Sequence, residues 1–312
     1  MAKKKAIRDA YGEALVKFGK DNKDIVVLDA DVAGSTKSGL FGAEYPERFF
    51  NVGIAEADMV SMAGGLSTTG KIPFVNTFAS FLMLRGADPI RSSICYSNLN
   101  VKLAGAYAGL SDAYDGATHH ALEDITFMRS MPNMTVISVC DPIETEKAVK
   151  AAIDLEGPVY LRLSRADMSY IYDEDYEFEL GKGVTLSEGN DVTIMATGYM
   201  VHKALEAKEI LKEKGIDARV VNIHTIKPID KDLIIKCAEE TGAIVTAEEH
   251  NIHGGFGGAV SEVLVENKPV PQEFVAVNDS FTESGDYEDL LDKYGLQARH
   301  IVDKVEKVLK RK

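Results

Sequence analysis

Short apolar runs of strand length recur through the first half of the chain. Strands of a parallel sheet are buried on both faces, so they read as nearly continuous apolar segments rather than as alternating ones. Such runs occupy residues 25–28, 136–139 and 159–161. We therefore predict three buried strands at these positions.

The segment that follows Gly53 has a helical period instead. Its apolar residues recur three or four positions apart, which places them on one face of an α-helix. These residues are Ala55, Met59, Met62, Ala63 and Leu66. Helices thus alternate with strands, and this alternation predicts a mainly parallel sheet with helices packed against it.

The pattern begins again after an acidic and aromatic segment. Residues 170–179 read Tyr-Ile-Tyr-Asp-Glu-Asp-Tyr-Glu-Phe-Glu and show no strand or helix period, so we interpret residues 170–190 as a linker. Strand-like and helix-like segments then alternate at residues 192–196, 201–214, 218–223, 231–241, 243–246, 258–266 and 274–277. The chain is therefore predicted to be an α/β protein of two doubly wound, mainly parallel-sheet domains, residues 1–169 and 191–312.

Composition narrows the class of protein. A length of 312 residues suits two domains, and the formal net charge of −14 would repel nucleic acid and anionic membranes. No apolar segment reaches the roughly 18–20 residues that cross a bilayer, and no apolar segment follows the lysines at 3–5 as in a signal peptide. Cys95, Cys140 and Cys237 lack metal-ligand spacing. We expect a soluble, cytoplasmic protein that contacts neither nucleic acid nor membrane.

A glutamate lies in the first turn of the helix predicted after Gly53. Acidic side chains are favoured there because they interact with the positive end of the helix dipole, and this explanation suffices for Glu56 on local pattern alone. Farther along, Phe78, Phe81 and Leu84 recur at every third position. Such a stripe is typical of a domain core, and it also suits a flat heteroaromatic ligand that stacks on it.

A dense polar turn spans residues 112–124 and includes His119 and His120. These histidines could be solvated surface groups. A metal site is disfavoured because adjacent residues do not share a helical face and the spacing indicates no third ligand. Arg165 follows the strand predicted from residue 159, where ligands of open α/β sheets bind. A guanidinium group there matches phosphate geometry, and a surface ion pair is the alternative.

The order and spacing of these segments resemble the pyrimidine-binding and C-terminal domains of transketolases over nearly the whole chain. That family has a Gly-x-x-Glu at a helix start, and residues 53–56, Gly-Ile-Ala-Glu, stand in its place. The resemblance implies that Glu56 is catalytic and hydrogen-bonds the aminopyrimidine of thiamine diphosphate. Residues 76–81 are similar to the family's Ser-Thr-Phe-x-x-Phe segment, which implies that Phe78 and Phe81 pack on that ring.

Two positions depart from the family pattern. Leu84 replaces a tyrosine near the pyrimidine and is still expected to contact the cofactor, whereas Tyr107 replaces a histidine of the sugar site and bears on the identity of the donor sugar. Residues 29–35, Asp-Ala-Asp-Val-Ala-Gly-Ser, resemble the family's Ser-Ala-Asp-Leu-Ala-Pro-Ser. With Arg8 earlier in the chain, this segment implies that Arg8 and Ser35 share the sugar phosphate. Asp31 and Val32 are also expected to bind the cofactor.

The same resemblance implies a site for a sugar phosphate. Residues 115–119, Asp-Gly-Ala-Thr-His, are similar to the family's Asp-Gly-Pro-Thr-His. Asp115 and His119 are therefore expected to hold sugar hydroxyls, with His119 also assisting proton movements. The further residues expected to bind the sugar or its phosphate are Arg8, Ser35, Tyr107 and Arg165.

The motif Gly-Asp-Gly…Asn, with which the family binds the diphosphate and its Mg²⁺, does not occur in the sequence. The resemblance therefore implies that a separate N-terminal transketolase subunit supplies it, in an α₂β₂ assembly built on a dimer of this chain. No metal ligand is expected within the chain itself. Residues 197–258 resemble the family's C-terminal domain, which is mainly an assembly unit.

The implied activity is transfer of a two-carbon ketol unit from a ketose phosphate to an aldose phosphate. Two related enzymes remain as alternatives, the beta subunit of a 2-oxo acid dehydrogenase and a deoxyxylulose phosphate synthase-like enzyme. Asp115, His119 and Arg165 favour a sugar over a 2-oxo acid as substrate. The alternative of another class is a non-catalytic regulatory or scaffolding subunit.

Overall fold

The first half of the chain forms a β-sheet with a hydrophobic core on each face. The computed structural model describes residues 4–312. In chain order, the elements of this half are β1 Lys4–Ala6, α1 Ile7–Asp21, β2 Ile25–Asp29, α2 Ala33–Thr36, α3 Gly39–Glu44, β3 Phe49–Asn51, α4 Glu56–Ser67, β4 Ile72–Phe78, α5 Ala79–Pro89, β5 Lys102–Ala106, α6 Asp124–Ser130, β6 Thr135–Ser138, α7 Pro142–Asp154, β7 Val159–Leu163 and β8 Asp167–Ser169. A π-helical turn, Ile90–Cys95, extends α5, and a 3₁₀ turn lies at Ala113–Asp115.

The second half forms another sheet, with strand order β14-β13-β10-β11-β9, which is parallel except for β9. Its elements are β9 Val184–Ser187, β10 Val192–Ala196, α8 Met200–Glu213, β11 Ala218–Asn222, β12 Thr225–Lys227, α9 Lys231–Thr241, β13 Ile244–Asn251, α10 Phe256–Asn267, β14 Gln272–Val277, α11 Tyr287–Lys293 and α12 Ala298–Leu309. The predicted fold class is confirmed. Within residues 4–312, no helix combines the length and the apolar character needed to span a bilayer.

One strand from the second half of the chain joins the sheet of the first half. The first sheet has the order β12-β6-β7-β5-β4-β2-β3, and all neighbours are parallel except β12, which pairs antiparallel with β6. Since β12 comes from the second half of the sequence, that half completes the first sheet. Another short strand, β9, lies within residues 170–190, the segment that we predict as a linker. Strands of three and four residues are too short to show a period in the sequence.

The predicted apolar stripe of α4 is only partly correct. Met59, Val60 and Ala63 are fully buried, whereas Met62 is 39% exposed. The buried face continues to Glu56 at the start of the helix, which is only 3% exposed. The predicted stripe therefore includes a half-exposed residue, Met62, and omits a buried one, Glu56, because a hydrophobic pattern cannot identify a buried carboxyl group.

Phe78, Phe81 and Leu84 do not form one helix face, contrary to the prediction from their spacing. Phe78 is the last residue of β4, while Phe81 and Leu84 lie on α5, which begins directly after the strand. The spacing of three is therefore coincidental. Leu84 is 69% exposed and Phe78 only 8%, so the outer end of this apolar series faces solvent in the single chain.

A buried charged cluster connects the two halves. Arg162 Nε donates to Asp124 Oδ2 at 2.7 Å, and its Nη2 donates to the backbone oxygens of Glu249 at 2.9 Å and Ala121 at 3.2 Å. The Glu249 carboxyl group accepts from the backbone N–H of Leu110 at 2.6 Å. This contact explains why β13 continues past residue 246, where the sequence turns polar: the polar end of the strand is buried between the halves.

Glu249→Gln is expected to become more stabilising, or less destabilising, as the pH rises. Burial raises the pKa of Glu249 to about 7. Between the ordinary glutamate pKa and this value the unfolded chain releases a proton that the folded chain retains, so the wild type loses stability as pH rises through the window. Glutamine keeps an acceptor for Leu110 and has no such proton. Thermal unfolding of both proteins at about pH 5 and pH 8 measures the effect, and a change in relative Tm that disfavours the variant at the higher pH would contradict it.

Candidate active site

Loops at one edge of the first sheet carry most of the predicted site residues. β2, β4, β5 and β7 are parallel, so their carboxyl ends meet at this edge. The residues that follow these ends are Asp31, Val32 and Ser35 after β2, Phe81 and Leu84 after β4, Tyr107, Asp115 and His119 after β5, and Arg165 after β7. Arg8 on α1, Glu56 on α4 and Phe78 at the end of β4 complete the predicted set.

Glu56 is the first residue of α4, and its buried carboxylate is bound by Arg85. Arg85 Nη1 donates to Glu56 Oε1 at 2.7 Å. The same guanidinium group lies over Phe81, with its central carbon 4.0 Å from the ring centroid. Arg85 thus combines an ion pair with a stacking contact. Arg85 is not among the predicted residues, although it lies four residues after Phe81 on one helix, the spacing at which side chains meet.

Aromatic rings form a wall beside this ion pair. Phe78 stacks on Tyr107 with centroids 4.6 Å apart and contacts Phe81 at 5.6 Å. His119 meets the edge of Phe81 at 5.0 Å. The structure therefore brings together the aromatic residues predicted to pack on a flat ligand and the histidine predicted to contact a sugar.

An open groove of about 1090 Å³ lies at the Phe81 and His119 side of this wall, and Phe78, Tyr107 and Glu56 are outside its lining. Its lining includes Phe81, Leu84, Arg85, His119, Phe127 and Phe281. Two of these residues are largely exposed, Leu84 at 69% and Phe281 at 88%. An apolar groove with a few convergent polar groups is typical of a cofactor or ligand site.

Two guanidinium groups flank Tyr107 at one end of the wall. Arg8 Nη1 donates to the Tyr107 hydroxyl oxygen and, at 3.4 Å, to the backbone oxygen of Ser35. The Arg165 guanidinium carbon lies 5.3 Å from the Tyr107 ring centroid. Arg8 Nε is buried and has no hydrogen-bond partner within residues 4–312. This end of the site therefore offers unsatisfied donors and positive charge, which suit an anionic group.

A buried acid lies next to this positive end. Asp112 is fully buried, and its Oδ1 is 3.6 Å from Arg165 Nη1. Burial and the nearby charge of Asp115 raise the pKa of Asp112 to about 7, although Arg165 opposes the shift. Asp112 is not among the predicted residues, because nothing in its local pattern distinguishes it from the exposed acids of the same turn.

The loop after β2 is shaped by buried Asp29. Its Oδ1 accepts from the Val32 N–H at 2.6 Å, and its Oδ2 accepts from the hydroxyls of Thr36 and Ser38, both at 2.8 Å. Val32 consequently packs against the cluster of Phe78 and Tyr107. The Asp31 carboxylate instead accepts from Asn51 Nδ2 at 2.8 Å and is exposed.

Residues of the second half of the chain form hydrogen bonds with the polar turn. Thr282 Oγ1 is 2.6 Å from His120 Nδ1, and the Gly285 N–H donates to the Ala113 oxygen at 3.3 Å. Together with the bond from Leu110 to Glu249, these contacts fix both ends of the segment that carries Asp115 and His119. The second half is therefore more than a remote assembly unit, which the sequence alone did not indicate.

The fold and site define a two-sheet α/β protein with an acid, an aromatic wall and two arginines at one sheet edge. Comparison with known families gives two matches: residues 3–169 to the transketolase pyrimidine-binding domain and residues 181–301 to the transketolase C-terminal domain. The chain therefore belongs to the transketolase family.

Several relatives have nearly the same length as this chain. A protein of Methanocaldococcus jannaschii, provisionally described as a transketolase C-terminal section, is 44% identical over 98% of this chain and 97% of its own. The 6-deoxy-6-sulfo-D-fructose transketolase subunit of a Clostridium species is 42% identical over 98% and 95%. One of the subunits of the apulose-4-phosphate transketolase of Phocaeicola vulgatus is 40% identical over 95% of both chains. Rat transketolase is 41% identical, but only 48% of its length is matched.

A solved structure agrees closely with this fold. A split gene transketolase, described as an inactive beta4 tetramer, matches with a TM-score of 0.91 and 50% identity over 98% of this chain and 99% of that one. The chain thus corresponds to the C-terminal subunit of the split members of the family.

Proposed function

We propose that this chain is the subunit of a thiamine diphosphate-dependent transketolase that binds the pyrimidine half of the cofactor and the sugar phosphates. One observation carries the proposal: buried Glu56 and its aromatic wall lie at the same sheet edge as the two guanidinium groups around Tyr107. Activation of the cofactor requires the first environment, and anchoring of an anionic sugar requires the second. Ketol transfer needs both within one site.

The residues around Glu56 fit an aminopyrimidine ring. The Arg85 guanidinium is flat, carries N–H donors, stacks on Phe81 at 4.0 Å and donates to Glu56 at 2.7 Å. A pyrimidine ring is also flat and would need the same two contacts, one with an aromatic face and one with a carboxyl group. Because the Arg85 side chain is 47% exposed, it can leave this position without disrupting the core.

Each residue of the site then has a distinct role. When bound, thiamine diphosphate supplies an electron sink for cleaving a bond beside a carbonyl group. Glu56 would hold and release a proton at Oε1, while Phe78 and Phe81 keep water away from that carboxyl group. Val32, Leu84 and Asp31 would extend the cofactor contacts along the wall.

The sugar would bind at the other end of the wall. Asp115 and His119 would hold its hydroxyl groups, and His119 would also move protons to and from them. Arg8 and Arg165 would bind the terminal anion through charge-assisted hydrogen bonds, beside Tyr107. The names of relatives include transketolases of a sulfonated sugar and of a sugar phosphate, and guanidinium groups suit either anion. We propose transfer from a ketose phosphate to an aldose phosphate.

The diphosphate and its Mg²⁺ would be held by a second polypeptide that carries the Gly-Asp-Gly…Asn motif. Relatives of equal length are described as subunits or as a split gene product. We propose an α₂β₂ complex in the cytoplasm, in which the groove beside Leu84 and Phe281 faces the partner. Exposed apolar side chains at the rim of a groove are typical of such interfaces.

The rival functions lack support from this site. The beta subunit of a 2-oxo acid dehydrogenase has no need of paired arginines for a sugar phosphate, whereas the position of Arg8 and Arg165 on either side of Tyr107 supports one. A scaffolding subunit has no physical need for a buried acid such as Glu56 beside stacked rings. The site therefore favours transketolase activity over both.

Reconstitution with the partner tests the proposal. The full chain alone, with thiamine diphosphate and Mg²⁺, is expected to show no ketol transfer, and addition of a co-expressed subunit with the Gly-Asp-Gly…Asn motif is expected to restore it. The assay should test ketose phosphates, a sulfonated ketose and pyruvate as candidate donors. Activity of the chain alone would overturn the split-enzyme proposal, and activity with pyruvate alone would overturn the sugar substrate.

A further inference from the structure

Three potential metal ligands converge at the polar turn, although their sequence spacing does not predict it. Asp112, Asp115 and His119 each offer one ligand atom, and these atoms all lie within 4.8 Å of one another. The 3₁₀ turn Ala113–Asp115 places the two acids together, and the His119 N–H donates to the Gly116 oxygen at 2.9 Å, which folds the histidine back towards them.

Asp112 is only weakly compensated for a buried carboxylate. It is fully buried, and neither of its oxygens has a hydrogen-bond partner within residues 4–312. Arg165 is its nearest cation, and the separation of 3.6 Å is too long for a hydrogen bond. A second carboxylate, that of Asp115, lies close by. A buried carboxylate that has one long ion pair and no hydrogen bond is costly, and a cation between the two acids would reduce that cost.

The imidazole of His119 is held by two contacts. Thr118 Oγ1 lies 3.0 Å from His119 Nδ1, and the Phe81 ring packs against the imidazole at 5.0 Å. These contacts leave Nε2 free. A hydrogen bond at one ring nitrogen commonly fixes the other nitrogen of a metal-binding histidine.

We propose that Asp112, Asp115 and His119 bind a divalent transition-metal cation of the Zn²⁺ type. Two carboxylate oxygens and one imidazole nitrogen are common ligands of such ions, and water or a sugar hydroxyl would fill the fourth position. The imidazole selects against Mg²⁺, which prefers oxygen ligands in octahedral geometry. This site is separate from the Mg²⁺ that accompanies the diphosphate.

Two neighbouring cations oppose the metal and limit its affinity. Arg165 lies 3.6 Å from Asp112, and Arg8 donates a hydrogen bond to the hydroxyl group of nearby Tyr107. The Arg165 side chain is 39% exposed, so it can turn towards solvent or towards a bound anion. The two carboxylates offset the charge of the dication. The metal and Arg165 therefore compete for Asp112.

The functional consequence rests on the proposed function. If Asp115 and His119 bind sugar hydroxyls, a metal ion at this site occupies the same groups. Zn²⁺ at low concentration would then inhibit ketol transfer competitively with the sugar. Metal binding itself requires no turnover and can be measured whether or not the proposed activity is correct.

Binding is tested with the full chain alone, after chelator treatment, by titration with Co²⁺ and recording of its visible absorption. We expect saturable d–d bands at one ion per chain, which Zn²⁺ abolishes. Asp112→Asn and Asp115→Asn are expected to weaken Co²⁺ binding by about tenfold or more, because each removes one of three protein ligands. Since Asp115 is exposed, its variant should fold even if the Asp112 variant does not.

Asp232→Asn is the matched control, since that acid is 92% exposed on α9, and its affinity should equal that of the wild type. Absence of saturable d–d absorption, or unchanged affinity in both ligand variants, would overturn the site. In the reconstituted complex, Zn²⁺ should raise the apparent KM for the sugar without changing kcat. Tight binding without inhibition would overturn only the competition with sugar.

Discussion

Glu56→Gln should lower kcat of the reconstituted enzyme by about 10²–10⁴-fold, the range for loss of a positioned proton-transfer group. Glutamine has the shape of glutamate and can still accept a hydrogen bond from Arg85, so the fold and the groove should remain. It cannot hold and release a proton at Oε1. The loss is therefore expected in kcat, with little change in Tm, and both quantities can be measured on the same preparation.

The matched control for this variant is Asp58→Asn in the same helical turn. Asp58 is exposed and shares with Glu56 any interaction with the helix dipole. If Glu56 acted only through the dipole, the two variants would behave alike. Near-normal turnover by Glu56→Gln would refute its catalytic assignment, and near-normal turnover by Asp58→Asn with a large loss in Glu56→Gln would support it.

Arg85→Ala should strengthen the binding of thiamine diphosphate by about tenfold to a hundredfold. Arg85 occupies the contacts that we assign to the pyrimidine, so the cofactor has to displace a charge-assisted hydrogen bond of about 1.5–3 kcal/mol before it binds. Removing the side chain removes that cost. Isothermal titration of the reconstituted complex with the cofactor measures the change directly.

Two control variants separate the possible roles of Arg85. Arg91→Ala removes an exposed arginine from the π-helical turn that extends α5, and its cofactor affinity should not change. Arg85→Lys keeps the charge and loses the flat stacking group, so its affinity should lie between those of wild type and alanine. Weaker cofactor binding by Arg85→Ala would instead make Arg85 a cofactor ligand and contradict displacement.

Periodicity predicted several strands and helices well, although it did not predict β4 and β5 in the middle of the first sheet. β10 and α9 begin and end where the sequence analysis placed them, because their apolar positions follow one clear period. Prediction failed where polar residues are buried or strands are short. The end of β13 is polar and buried against Arg162, and β12 has three residues, so neither carries a local signal.

Some residues of the candidate site could be predicted from the sequence and others could not. Glu56, Phe81 and His119 lie in motifs whose order resembles a family, and the structure brings them to one edge of the sheet. Arg85 and Asp112 gain their significance only from neighbours that are distant in sequence: Arg85 from Glu56, and Asp112 from an arginine fifty-three positions later. Single-sequence reasoning has no access to such pairs.

Strand β12, which joins the first sheet from the second half of the chain, limits where the chain could be divided. A break near residue 180 would separate β6 from β12 and leave an open hydrogen-bonding edge on the first sheet, which is a template for aggregation. The buried pair of Arg162 and Asp124 would at the same time lose its backbone acceptor at Glu249. A division of the chain between the two sheets is therefore expected to destabilise both products.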